Sequence, residues 1–570
     1  MSDQNTLHKT VSQRLVNIYG EDVKSEIADR LVARIEEAKS KTVDTVSEKW
    51  TEQDAFIITY GDSIKSKGEK PLQTLLNFVN NNLKDVISIV HILPFFPYSS
   101  DDGFSVIDYK EVNPDLGDWS DIKAISEEYR LMADLVINHI SSKSQWFKNY
   151  LKGKEPGTGY FIEADPKEDL SAVVRPRSLP LLSEFKVKGK TKHLWTTFSA
   201  DQIDLNFSNP ELLIAMTDVF LNYLENGSRI IRLDAIAFLW KEIGTNCLHL
   251  PQTHEAVKLL RDIMDYMGQS YILLTETNVP NKENLSYFGN GDEANMVYQF
   301  SLPPLLLYSL YTGNARYLSQ WASEIPKLEP DCTFFNFTAS HDGIGVRPLE
   351  GLVPNEEFKA LTDGMKKIGA HISTKRNSDG SDSPYEMNIT YLDALAETKN
   401  GKDEYHIARF IASQTVMMSL QGIPAFYIHS LLGTRNYTEG VKQTGMPRTI
   451  NRRKWKNKEI LPLLEDKKSD NAKIFNELRR IIGIRKTVKA FHPDAAQKIY
   501  NFGDAFFVFT RGSESELLCI TNVTNKATHL HLSDDTFIGY NYDLISDSGV
   551  ITTTGEILLK PYQTMWLVEK

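Results

Sequence analysis

Three apolar runs in the middle of the chain each lead into an acid: Ile230 to Leu233 before Asp234, Ile272 to Thr275 before Glu276, and Phe334 onward into Asp342. Short runs of β-branched, aromatic and leucine side chains read as buried strands. A buried strand that finishes on charge must deliver that charge to an opening. A (β/α)8 barrel is the architecture that gathers the C-terminal ends of its parallel strands at one such face. The expected fold class is therefore α/β, a (β/α)8 TIM barrel. A single acid after an apolar run is commonly a solvated strand end or a helix cap. Three of them, with Arg232 and His341 close by in sequence, point instead to one shared mouth. A fourth run, from Leu131, ends on Asp134, Asn138 and His139 and joins the set.

Carboxylates gathered this way suit glycosyl transfer. Retention of anomeric configuration needs one carboxylate as nucleophile and a second, about 5 Å away, as acid and then base. A third can bind sugar hydroxyls and favour the positive charge of the transition state. His139 is placed to donate a hydrogen bond to a sugar hydroxyl.

The four segments resemble the four signature regions of the α-amylase superfamily, in order. SDDGFSVIDYKEV (Ser100 to Val112), VRPRSLP (Val174 to Pro180), SLPPLLL (Ser301 to Leu307), SHDGIG (Ser340 to Gly345) and RTINR (Arg448 to Arg452) resemble its sucrose phosphorylase subfamily and together sample most of residues 52 to 455. The resemblance implies Asp234 as nucleophile, Glu276 as acid/base and Asp342 as transition-state stabiliser. It implies a glucose subsite lined by Asp101, Phe104, His139, Arg232, His341 and Arg448, with Phe198 as an aromatic platform. Arg177 and the loop after His341 would serve a site that binds acceptor and phosphate in turn. Two departures argue against sucrose as donor: Phe238 stands where sucrose phosphorylases carry Tyr, and TETNVP (Thr275 to Pro280) differs from their Glu-Val-His type. With LEGLVP (Leu349 to Pro354) and TGMPRTIN (Thr444 to Asn451), that segment is closer to the glucosylglycerate phosphorylases.

The activity so implied is phosphorolysis of an α-glucoside, foremost 2-O-α-glucosylglycerate, to α-glucose 1-phosphate and glycerate through a β-glucosyl-Asp intermediate. Glucosylglycerol or sucrose phosphorylase stands as the alternative, followed by an α-glucosidase or transglucosidase of the same fold. Inorganic phosphate is a co-substrate, and no cofactor or metal is expected. The superfamily's calcium site would draw on Asn138. A non-catalytic relative attached to a membrane is disfavoured, because the three acids are intact and no apolar run approaches the ~20 residues that span a bilayer.

The chain of 570 residues carries 64 basic and 75 acidic residues, a formal charge of −11. Nucleic acid requires a clustered positive footprint, so it is not an expected partner. An enzyme using phosphate must then supply positive potential locally, and Arg177, Arg347, Lys375, Arg376 and Arg435 in loop segments are the candidates. Cys247, Cys332 and Cys519 are too few and too dispersed for a disulfide framework or a metal site. The N-terminal residues lack a basic-then-apolar signal, so a cytoplasmic location is expected, with no membrane partner. The assembly is left open, with a homodimer as one option.

The expected organisation is an N-terminal helical extension (1–50), a catalytic barrel (51–487), an inserted domain B (140–205), an inserted lid region (343–410) and a C-terminal antiparallel β domain (488–570). Val23, Ile27, Leu31 and Ile35 predict an amphipathic helix over 22–40. Phe56 to Tyr60 and Ile87 to Leu93 predict the first two barrel strands. Residues 343–391 read as irregular, with a flexible run at Asn377 to Ser383.

Overall fold

The computed structural model describes residues 3–44, 48–377, 380–514, 516–532, 537, 539–550 and 555–570. Eight parallel strands close into a barrel: β1 (Phe56–Thr59), β2 (Ile89–Ile92), β3 (Arg130–Leu135), β4 (Ser228–Leu233), β5 (Ile272–Thr275), β6 (Met296–Tyr298), β7 (Thr333–Phe337) and β8 (Ile423–Tyr427), with β8 pairing back onto β1. Apart from the first residue of β3 and the second of β4, every strand residue is buried. Helices cover the outside and side chains fill the inside, so these strands read as apolar runs without alternation. Asp234 follows β4 by one residue and Glu276 follows β5 by one, which sets both acids at the same rim. Asp342 lies five residues beyond β7, in a loop.

Two helices precede the barrel rather than the single one predicted. α1 (Asp3–Tyr19) buries Leu7, Val11, Leu15 and Ile18, and α2 (Ser25–Lys41) buries Ile27, Leu31 and Ile35. α2 lies on helix Pro210–Glu225, with Arg34 donating to Asp218 and Glu225, both at 2.6 Å. α1 lies on helix Pro251–Met267, with Arg14 bonded to Asp262 and Glu255.

Three further parts position the site. After β3, His139–Ser141 pairs antiparallel with Gln202–Asp204, and the hairpin Leu182–Val187/Lys190–Trp195 rises above them. After β7 the chain is not irregular. It forms helix Asn355–Lys367 and a three-stranded sheet of Ile344–Gly345, Asp382–Asn388 and His371–Arg376. Two residues of the predicted flexible run, 378 and 379, lie outside the described residues. From Gln497 the chain forms a six-stranded antiparallel sheet and a separate strand pair, with a core including Phe506, Val508, Ile520 and Leu567. The three cysteines are buried and unbonded to one another.

Candidate active site

Asp234, Glu276 and Asp342 line one pocket of about 590 Å³ at the C-terminal rim, together with Asp101, Phe104, His139, Arg177, Phe198, His341 and Arg448. Arg232, predicted to line the glucose subsite, does not. Its guanidinium is buried beneath the acids, donating to Asp134, to Asp234 Oδ1 at 2.9 Å and to the Tyr298 hydroxyl at 3.1 Å. Its Nη2 is 3.7 Å from Glu276 Oε2. His91 in turn holds the other oxygen of Asp134 at 2.6 Å. A chain of alternating charge thus fixes the nucleophile candidate from below, a supporting layer of the kind a reactive group needs.

Ala235, directly after Asp234, has φ +50°. Its N–H donates to Glu276 Oε2, 3.0 Å away, and so ties the two strand ends together. Asp342 is held by Arg448, whose Nη1 lies 2.7 Å from Oδ1, while Arg452 Nη2 is 3.8 Å from the same oxygen. Burial pushes the Asp342 carboxyl up, but Arg448, Arg452, Arg232 and Arg177 outweigh it and hold it below the usual aspartate range. Asp234 and Glu276 move the other way. Burial raises both, opposed by Arg232 and reinforced by neighbouring acids, so each carboxyl retains a proton more readily than a free carboxylate does.

The imidazoles divide differently from the sequence expectation. His139 Nδ1 faces the Asn138 amide, and Nε2 donates to the Phe104 carbonyl at 2.8 Å, so its N–H is committed within the protein. His341 stacks on Phe104 with ring centroids 4.6 Å apart and has a buried Nδ1 without a partner among the described residues. Burial, with Arg452, Arg232 and Arg448, holds His341 well below its ordinary value, so it is a neutral imidazole at the pocket wall. Phe198 packs against His139 and Phe238, at 5.2 and 5.6 Å between ring centroids. Asp101 and Asp102 adopt φ of 52° and 48°, and Arg452 bonds Asp102 at 2.9 Å.

Of the five candidate cations, only Arg177 lines the pocket, 5.3 Å from the centre of the Tyr385 ring. Arg347 is buried, 3.8 Å from Glu350, which also binds Lys375 at 3.1 Å. Arg376 pairs with Asp382 on its hairpin. Arg435 points elsewhere: it is bound to Asp393 and Asp470, both at 2.9 Å. Sequence reasoning missed Tyr385 and Glu386 altogether. Glu386 accepts two hydrogen bonds of 2.9 Å from Arg448, and burial keeps the Tyr385 hydroxyl protonated.

The superfamily's calcium would use the Asn138 oxygen. Here that oxygen accepts from Lys241 Nζ at 2.6 Å, and the same ammonium is 2.7 Å from Asp204 Oδ2. Thr197 donates twice more to Asp204. An ammonium stands between the two oxygens, so these residues do not fit a calcium ion. Among the described residues, no group of three or more His, Cys, Asp or Glu is placed to hold a metal. Nor is any helix there long and apolar enough to cross a membrane.

The α-amylase catalytic-domain family matches residues 83–335. The chain is 44% identical to the glucosylglycerate phosphorylase of Escherichia coli (strain K12), over 98% of this chain and all of that one. It is 42% identical to the glucosylglycerate phosphorylase of Allomeiothermus silvanus, over 99% of both. The chain belongs to the sucrose phosphorylase-like branch of the α-amylase family. It is a glycoside phosphorylase, acting on small-molecule sugar and phosphate substrates. The crystal structure of sucrose 6F-phosphate phosphorylase from Thermoanaerobacter thermosaccharolyticum superposes on it with a TM-score of 0.74 at 26% identity, covering 90% of this chain and 100% of that one. The phosphorylase therefore shares its fold with that relative over most of the chain.

Proposed function

We propose that this phosphorylase cleaves 2-O-α-glucosylglycerate with inorganic phosphate, giving α-glucose 1-phosphate and glycerate by double displacement. The observation that carries the reading is Arg177, a pocket cation that acts on Asp342 through space but forms no ion pair or hydrogen bond with an acid among the described residues. The other cation lining the pocket, Arg448, is already neutralised by Asp342 and Glu386. Phosphate and glycerate are both anions and suit one guanidinium in turn.

The pocket's charges favour a division of labour. Arg232 Nη1 is 2.9 Å from Asp234 whereas Nη2 is 3.7 Å from Glu276, so the guanidinium stabilises a negative charge on Asp234 more than on Glu276. Asp234 attacks the anomeric carbon while Glu276 protonates the departing glycerate oxygen. Phosphate then opens the β-glucosyl ester from the opposite face, and Glu276 accepts any proton the incoming oxygen carries. Two inversions give retention. Because phosphate is already a competent nucleophile, the site's task is to hold it where water would otherwise attack.

Glucosylglycerate incubated with and without phosphate tests the reading. Glucose 1-phosphate should form only with phosphate and in step with glycerate. Release of free glucose at the same rate in both would contradict it.

A further inference from the structure

The segment 174–180, inserted after β3, and the hairpin after β7 meet at a backbone bridge between Arg175 and Arg376. Residues opposed in this way stand about 5 Å apart at Cβ, where like charges repel. Both chains run on into the catalytic pocket. Two residues after Arg175 comes Arg177, and three residues beyond Asp382, the strand partner of Arg376, comes Tyr385. Arg177 and Tyr385 lie against each other in the pocket wall, so the arginine pair sits about 10 Å outside them on the same two chains.

The protein neutralises this pair only in part. Arg175 donates to the Leu179 carbonyl and has no carboxylate partner among the described residues. Burial and the neighbouring Arg376 pull Arg175 down from the ordinary arginine value, as expected where one cation is held beside another. Arg376 gives Nε to Asp382 at 2.6 Å and Nη2 at 3.4 Å, and its Nη1 has no partner among the described residues. Lys375, next in the chain, is engaged by Glu350 at 3.1 Å. One described carboxylate thus serves two guanidiniums. The Arg376 side chain is 40% exposed and Arg175 is half-buried, so both are reachable from solvent. A tetrahedral dianion suits such a gap, because guanidiniums fork onto phosphate oxygens and an anion between two of them turns repulsion into attraction.

We propose that Arg175 and Arg376 bind inorganic phosphate outside the catalytic pocket, and that the bound ion latches the hairpin onto the segment 174–180. This outer site is distinct from the one at Arg177, and it stands whichever acceptor the enzyme uses. The hairpin carries Tyr385 and Glu386, so the latch holds one wall of the catalytic pocket in place while phosphate is abundant.

Hydrogen exchange of the strands His371–Arg376 and Asp382–Asn388 tests the latch, each protein being compared with itself at low and high phosphate under constant ionic strength. A ligand at ten times its half-saturating concentration slows exchange through the openings that release it by about tenfold. The native enzyme should show that slowing. Arg376→Gln and Arg175→Gln should lose most of it. Arg376→Lys, which keeps the charge, should retain it, and so should Arg177→Ala, which weakens phosphate binding in the catalytic pocket instead. Each ratio is internal to one protein, so a hairpin already loosened by the substitution does not mimic the loss. No slowing in the native enzyme, or slowing undiminished in both Gln variants, would overturn the proposal. Slowing that disappears in Arg177→Ala would overturn it too, by assigning the protection to phosphate in the catalytic pocket. None of these outcomes bears on which acceptor the enzyme prefers.

Discussion

Each of the three pocket acids is set by a few immediate neighbours. Asp234 owes its charge to Arg232 at 2.9 Å, and Asp234→Asn removes the attacking oxygen's charge at nearly constant size. Turnover should fall about 10³-fold or more with the fold intact, measured by steady-state kinetics beside circular dichroism. Glu276→Gln should be least damaging with glucosyl fluoride, whose leaving group needs no proton, and should abolish the alkaline limb of the pH–rate profile. The same variant has a stability signature. Because burial raises the folded Glu276 value, its neutral form stabilises the native state below the ordinary glutamate value of about 4.3, and that contribution is lost as pH rises through the raised value. The melting temperature of Glu276→Gln relative to the native enzyme should thus increase from pH 4 to pH 8. Lys241 is a structural counterpart. Lys241→Ala leaves the buried Asp204 and Asn138 oxygens without their cation, a loss of about 3–5 kcal/mol. Its melting temperature should drop and recover in part with added calcium; an unchanged melting temperature would count against the ammonium's role.

At the scale of elements, the ends of the barrel strands carry Asp234 and Glu276, and the loop insertions carry Arg177, Tyr385 and Glu386. Strands β1 and β2, and the acids after β4 and β5, are legible in sequence because buried parallel strands are predominantly apolar, interrupted here only by single polar residues such as His91 and Arg232. β6 is three residues long and gives no such signal. α1 is spaced 4, 4 and 3 residues at Leu7, Val11, Leu15 and Ile18, but Thr, Ser and Asn dilute the stripe. The hairpin after β7 is illegible for a different reason: its register shifts between Ser373 and Thr374, so the alternation that would mark two strands breaks. That hairpin delivers Tyr385 and Glu386, which is why both escaped notice. Arg435 was misjudged because its partners, Asp393 and Asp470, are distant in sequence, whereas His139 does line the pocket and meets there a carbonyl, that of Phe104, which is also distant in sequence. Arg448 is clamped between Asp342 and Glu386, joining the hairpin to the catalytic rim. Glu386→Ala should release it, cutting turnover by at least about 10²-fold and exposing residues 371–388 to limited proteolysis. Proteolysis unchanged from the native pattern would show that the pair does not hold the hairpin.

Over the whole molecule, the barrel floor and the C-terminal sheet are joined by two buried guanidiniums that meet carbonyls rather than acids. Arg485 donates to the carbonyls of Met418 and Glu52 at 2.7 Å and of Phe491 at 3.2 Å, and Arg511 to that of Ser419 at 2.8 Å. Burial and Arg511 lower Arg485 to about 9, still charged at neutral pH. Arg485→Met strands those carbonyls and should cost about 3 kcal/mol or more, seen as a lower urea midpoint. The net charge of −11 makes the pocket at Arg177, which forms no ion pair among the described residues, a local exception to the global field. That exception is the centre of the functional reading, and the synthetic direction tests it most directly. Glucose 1-phosphate is supplied with glycerate, glycerol, fructose and fructose 6-phosphate in parallel, to the native enzyme and to Arg177→Ala. Glycerate should be the best acceptor. Arg177→Ala should weaken glycerate and phosphate about tenfold or more, the loss of a charge-assisted bond of roughly 1.5–3 kcal/mol, while sparing glycerol. Glycerol or fructose as the preferred acceptor, or an Arg177→Ala enzyme that binds phosphate as the native one does, would contradict it.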